Sequence, residues 1–221
     1  MVPFEPILAR ALERHGQADV TAHLPAVKNA AELAAVPDDR YLSLLCLRVF
    51  RAGIKHSVVD QKWPAFEAAF HGFEPHAVAA MTEEDLEALM SDSGLIRHWG
   101  KLKSVPPNGA ALRTISDEAG GFGRWLASWP ADRTLELWDA LAKRFKMLGG
   151  DSAPRFLRMA GRDSFIFSPS VEAALKLWGV SDGGRGKAAR AQAAAQFTEW
   201  ARTTGRPLAH LSMILAYSVP E

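Results

Sequence analysis

Histidines, cysteines and carboxylates at close spacing are the usual carriers of chemistry, and in this chain they are dispersed. His15, His23, His56, His71, His76, His98 and His210 form neither an H-E-x-x-H helix nor a paired Cys/His spacing, so no metal site and no cofactor are expected. His71 and His76 stand five apart across Pro75, which is not one helical face. The single cysteine, Cys46, lies on the apolar side of its helical pattern. There it reads as a buried, inert thiol rather than a nucleophile, and one cysteine excludes an intrachain disulfide framework.

More informative is the run Leu148-Gly149-Gly150-Asp151-Ser152, which stands between two helical patterns. A helix, a tight glycine turn and a second helix over 141–158 make a helix-hairpin-helix candidate. Glycine lets a ligand come close to the backbone, and the first amides of the second helix point outward at an anion. Such a device holds a DNA phosphate through backbone dipoles and does not need a basic protein. Arg144, Lys146, Arg155 and Arg158 would add local attraction. The plainer alternative is an αα-corner with glycine as the C-cap and Pro154 in the next helix's first turn.

The elements that must position these residues are helical nearly throughout. The 221 residues are 48% hydrophobic, enough for a sizeable core, and a disordered tail is excluded. The 26 Lys+Arg against 25 Asp+Glu leave a formal charge of +1, so composition alone gives no argument for a nucleic-acid partner. No apolar run approaches the roughly 18 residues of a membrane span, and the first residues lack a secretory pattern. A soluble, cytoplasmic protein without a membrane partner is expected.

Leu42, Leu45, Cys46, Val49 and Phe50 follow helical spacing behind a cap at Asp38 or Asp39. A helix over about 57–70 carries Pro64, which predicts a kink or two short helices. Thr82-Glu83-Glu84-Asp85 reads as a capping box. Leu95 to about Asp117 reads as one long helix despite Pro106-Pro107. Asp132 is expected to cap the next, and Ser168 or Ser170 a later one. Residues 181–186 form the best loop, before an Ala-rich helix from Lys187 and a short terminal one after Pro207. The expectation is an all-α protein of about ten helices, with a helical lead segment over 1–37 and one unit over 38–221.

The segments Cys46-Leu47-Arg48, Ala52-Gly53, Phe70-His71-Gly72-Phe73-Glu74-Pro75, Val78-Ala79-Ala80-Met81-Thr82-Glu83-Glu84-Asp85 and Asp92-Ser93-Gly94-Leu95-Ile96-Arg97-His98-Trp99-Gly100-Lys101 closely resemble the DNA-3-methyladenine glycosylase I family. The register runs without gaps from about Leu42 to Asn108. More distantly, 148–163 and Ser170 resemble the hairpin and following loop of the helix-hairpin-helix DNA glycosylase superfamily. The resemblance implies two packed helical lobes with a cleft. It also implies excision of an alkylated purine, flipped out of duplex DNA, by hydrolysis of its N-glycosidic bond. A 3-methylated adenine already carries positive charge, so the enzyme's task is to select the cation and stabilise an oxocarbenium-like sugar.

Several positions depart from the family pattern. Where the family has a base-recognising glutamate, this chain has Arg48, and a guanidinium repels a cationic base. Where the family has a tryptophan, it has His56, preceded by Lys55. The superfamily's catalytic aspartate falls at Ser170, with Asp163 seven residues earlier. The terminal zinc ligands of the best-known members have no counterparts. The resemblance thus implies a base pocket lined by Arg48, Lys55, His56 and Trp63, with Ser170 and Asp163 as catalytic candidates. DNA contacts fall at Gly149, Gly150, Asp151, Ser152, Arg155 and Lys101. A monomeric, monofunctional, nucleoid-associated glycosylase acting on double-stranded DNA is expected. The alternatives are a catalytically silent DNA-binding protein on the same frame and a helical protein-interaction domain.

Overall fold

The computed structural model of the chain describes residues 1–182, 184 and 186–220, so Gly183 and Arg185 of the expected 181–186 loop lie outside the described residues. Among the described residues the secondary structure is helical, without strands. In chain order the helices are α1 (Glu5–His15), α2 (Gln17–Ala22), α3 (Ala30–Ala35), α4 (Asp38–Arg51), α5 (His56–Ala69), α6 (Pro75–Ala79), α7 (Glu83–Leu89) and α8 (Trp99–Leu102). They continue with α9 (Val105–Ala119), α10 (Phe122–Ser128), α11 (Thr134–Arg144), α12 (Ser152–Ala160), α13 (Pro169–Leu177), α14 (Lys187–Thr204) and α15 (Leu208–Tyr217). None of them is long and apolar enough to cross a membrane.

The helices gather into two compact units. One holds Asn29–Trp129 and Leu137–Ala160 and centres on α4, whose Tyr41, Leu42, Leu45, Cys46, Val49 and Phe50 are all buried. Helices α5, α9 and α12 pack on that face, and α10 crosses α3. The α3–α10 crossing depends on Gly123, because a β-carbon there would stand 2.1 Å from the Leu33 carbonyl oxygen. Tyr41 closes the same corner by donating its hydroxyl to Leu33 O at 2.7 Å.

The other unit holds Met1–Lys28, Pro130–Glu136 and the chain from Gly161 onward. Its core includes Phe4, Phe165, Phe197 and Trp200. The Trp200 indole donates to Val2 O at 2.7 Å, and the Gln196 amide bonds both backbone groups of Val2 at 3.1 Å. The lead segment is thereby divided: residues 1–28 join the chain's last helices, whereas α3 joins the unit built on α4. The boundary drawn at residue 37 marks neither unit.

Several local expectations change. The α4 N-cap is Pro37, and Asp38 instead accepts from Phe122 N at 3.0 Å and from the Ser116 hydroxyl, tying α10 and α9 to α4. Pro64 lies inside a continuous α5. The stretch from Leu95 to Asp117 is two helices: Ser104 separates α8 from α9, and Pro106 and Pro107 occupy the first turn of α9, where a missing amide costs nothing. Thr82 and Asp85 do form the capping box, and Ser168, not Ser170, caps α13 by accepting from Val171 N. Asp132 belongs to a short 3-10 turn ahead of α11.

Candidate nucleic-acid interface and base-recognition site

Two helices and one turn build the hairpin. Helix α11 ends at Arg144, and α12 starts at Ser152, whose amide donates to Gly149 O at 3.2 Å. Two residues of the turn are left-handed: Gly150 at φ +58, where glycine is at ease, and Met147 at φ +62, where a side chain is strained. A β-carbon built on Gly149 or Gly150 would meet nothing within 4 Å, so the backbone there is open to an approaching ligand. The turn is held from below by Asn108 of α9, which is completely buried. Its side chain accepts from Lys146 N at 2.6 Å and donates to Lys146 O at 3.2 Å. Nothing in the sequence marks Asn108, because its partner lies 38 residues away.

Arg48 stands in the last turn of α4, where a cation complements the helix dipole. It is 8% exposed. Its Nη2 donates to Ser152 Oγ at 3.4 Å, at the very start of α12, and its buried Nε has no hydrogen-bond partner. Burial and the nearby Arg155 push the Arg48 pKa down, Asp151 pulls the other way, and Arg51 adds to the depression. Arg48, from the expected base pocket, and Asp151, Ser152 and Arg155, from the expected phosphate site, therefore form one cluster.

Lys101 adjoins this cluster but has a different task from the phosphate contact expected of it. It is 5% exposed, and its ammonium donates to Phe50 O at 3.0 Å and to Ala52 O. Both are free carbonyls at the end of α4, so Lys101 acts as a C-terminal cap. Burial and the charge of Arg48 hold its pKa below the ordinary lysine range.

The other expected pocket residues do not gather around Arg48. Lys55 is the N-cap position of α5 and His56 its first residue, and both are exposed. Trp63 stacks on Phe66 at 5.0 Å and on Phe73 at 5.3 Å and donates Nε1 to Ser43 Oγ at 3.0 Å. These contacts fix the indole in an aromatic cluster of its own unit and leave it half-buried. Asp163 and Ser170 belong to the other unit. Asp163 accepts from Leu208 N at 3.0 Å and Ala209 N at 2.8 Å. Its carboxylate caps α15, the contact the structure gives it where a catalytic residue was expected. Ser170 sits in the first turn of α13, two residues beyond the capping Ser168.

A structural zinc centre does not fit the single cysteine. Cys46 is buried among apolar side chains, and burial pushes its thiol up, away from the thiolate a metal needs.

The model of the methyladenine glycosylase family matches residues 33–145, more than half the chain. The chain belongs to that family. The match takes in α4, α9 and α11, whereas the glycine turn and α12 follow it. Over 83 residues the chain is 40% identical to DNA-3-methyladenine glycosylase 1 of Escherichia coli (strain K12), which is 38% of this chain and 44% of that protein. The DNA-3-methyladenine glycosylase of Haemophilus influenzae is 40% identical over 85 residues, 38% of this chain and 46% of its own. Each match thus spans less than half the length of the curated relative. Among solved structures, 3-methyladenine DNA glycosylase I from Staphylococcus aureus aligns with a TM-score of 0.52 at 24% identity, covering 68% of this chain and 91% of that one. A 3-methyladenine DNA glycosylase I in complex with 3-methyladenine aligns with a TM-score of 0.52 at 25% identity over 65% and 84% of the two chains. The chain shares its helical fold with these solved structures.

Proposed function

We propose that this protein is a monofunctional DNA N-glycosylase of base-excision repair, hydrolysing the N-glycosidic bond of a damaged purine flipped out of duplex DNA. Family membership supports the reaction class. The observation that carries the reading to this chain is the cluster at the start of α12, where open glycine backbone, helix amides and Arg155 offer an anion its contacts beside a buried Arg48. In the family register Arg48 replaces a carboxylate, so the selected base is one that presents acceptor atoms rather than net positive charge. Arg48 would donate to a carbonyl oxygen or ring nitrogen on the base edge. The site of action would be the cytoplasm.

Incubation with duplexes carrying 3-methyladenine, 7-methylguanine or hypoxanthine, followed by an assay for abasic sites, tests the reading. The expected result is release of hypoxanthine in preference to the two cationic bases. No release from any of the three would sink it. A second reading, duplex binding without cleavage, is favoured by one observation: Asp163 is occupied by the α15 amides and is not available as a catalytic carboxylate. Salt-sensitive binding with no abasic product would select it.

A further inference from the structure

Met147 combines two features that neither packing nor backbone preference accounts for. It is a non-glycine residue at φ +62, and its side chain is 48% exposed. A left-handed conformation costs a non-glycine residue roughly 1 kcal/mol, and a half-exposed apolar side chain recovers little of that by burial. Strain of this kind in an exposed turn is a mark of function when the surroundings enforce it. Here they do, because Asn108 locks the backbone of the preceding Lys146.

Met147 also lies in a groove of about 420 Å³, lined by Gly100, Lys103, Ser104, Pro107, Lys146 and itself. The floor is largely apolar and both cations are exposed. Lys103 is shared with Glu83 at 2.8 Å and lies over the Trp99 ring, whereas Lys146 has its side chain in solvent. The groove therefore presents an apolar strip with a cation beside it, next to the open backbone of Gly149 and Gly150. A deoxyribose–phosphate backbone has the complementary character: an apolar sugar edge followed by an anion.

We infer that this groove seats the sugar–phosphate backbone of the DNA strand that meets the hairpin, with Met147 against deoxyribose carbons and Lys146 on a phosphate oxygen. The inference rests on the duplex-DNA reading above and extends the footprint beyond the hairpin amides.

Fluorescence anisotropy of a short duplex holding a tetrahydrofuran abasic analogue, read at several salt concentrations, tests it on the full chain. Lys146→Ala should lower the slope of log K against log[salt] by about 0.9, the loss of one phosphate contact. Met147→Gly should weaken binding about fivefold at every salt concentration with the slope unchanged, consistent with the loss of one partly buried apolar side chain. Its thermal midpoint should move little, since relief of the left-handed strain offsets the added freedom of the unfolded chain. Met147→Leu should keep wild-type affinity. If the wild-type protein binds the duplex and the Lys146→Ala and Met147→Gly variants match it in affinity and slope, the groove assignment is overturned alone. If the wild-type protein does not bind the duplex, the DNA reading falls and the groove with it. A change of oligomeric state in Met147→Gly, seen by light scattering without a change in duplex affinity, would assign the groove to self-association instead.

Discussion

Asn108 holds Lys146 by both of its backbone groups, accepting from the amide at 2.6 Å and donating to the carbonyl at 3.2 Å from a completely buried position on α9. A side-chain amide used in this way substitutes for the strand or helix partner that a tight turn cannot provide. The hairpin thus takes its shape from α9 as much as from its own glycines. Asn108→Ala should cost about 1–3 kcal/mol, since two hydrogen bonds to part-buried backbone groups are lost. Urea denaturation measures this. The same variant should bind duplex DNA more weakly than the wild-type protein under conditions where both are folded. Unchanged affinity would separate the turn from the DNA contact.

Lys101 gives a contrasting expectation. As the cap of α4, its removal in Lys101→Ala should destabilise the protein by about 2–3 kcal/mol through loss of two charge-assisted hydrogen bonds. The slope of duplex affinity against salt should stay at the wild-type value. A slope reduced by about 0.9 would restore Lys101 to the phosphate contacts.

Legibility in the sequence followed the range of the interactions. The helices of 42–89 and the hairpin turn could be read because their signals are local: apolar spacing in α4, the Thr82–Asp85 box, the Gly149-Gly150 pair. Long-range partners could not. Lys101 in a basic stretch looks like a phosphate ligand until the carbonyls of Phe50 and Ala52 are seen in front of it, and Asp163 looks catalytic until the α15 amides are. Trp63 beside a proline gives no sign of its stacking on Phe66 and Phe73. Arg48 was located through its family register, but the sequence carries no trace of its proximity to Ser152, 104 residues on.

Asp163 can be assigned by one substitution. Asp163→Ala removes the acceptor of the Leu208 and Ala209 amides and should cost about 1–2 kcal/mol, the usual worth of a helix cap. Any base-release rate per folded molecule should remain within a factor of a few. A drop of several orders of magnitude with stability intact would make the carboxylate catalytic after all.

Tyr41 gives the fold an alkaline limit. Its hydroxyl is buried against Leu33 O, and desolvation, with the charge of Asp38, pushes its pKa up to about 12 from the ordinary 10. A tyrosine whose folded pKa is raised contributes stability that is fully present below the unfolded pKa. That stability is lost as pH rises through the folded value, here between about 10 and 12. The protein has two tyrosines, so an ultraviolet titration should show one ionising late, and Tyr41→Phe should remove that phase. The variant should also lose about 1–2 kcal/mol at neutral pH, because Leu33 O loses its donor. Two tyrosines ionising together near 10 would contradict the buried hydrogen bond.

Arg48 tests the link between the cluster and base choice. Its guanidinium is buried with an unsatisfied Nε and has Arg155, Asp151, Arg51 and Lys101 for electrostatic neighbours. Replacing such a charge by an apolar side chain of similar reach removes a desolvation cost, so Arg48→Leu should be neutral or stabilising by up to about 2 kcal/mol in thermal denaturation. Arg48→Glu places an anion beside three cations and one carboxylate, Asp151, near the amino end of α12, and it should also fold. Since a carboxylate attracts a cationic base, Arg48→Glu should raise release of 3-methyladenine relative to hypoxanthine, whereas Arg48→Leu should lower both. Arg48→Leu that instead destabilises by about 3 kcal/mol, together with an Arg48→Glu variant whose base preference is unchanged, would make Arg48 a structural cation that spans α4 and α12 and takes no part in selecting the base.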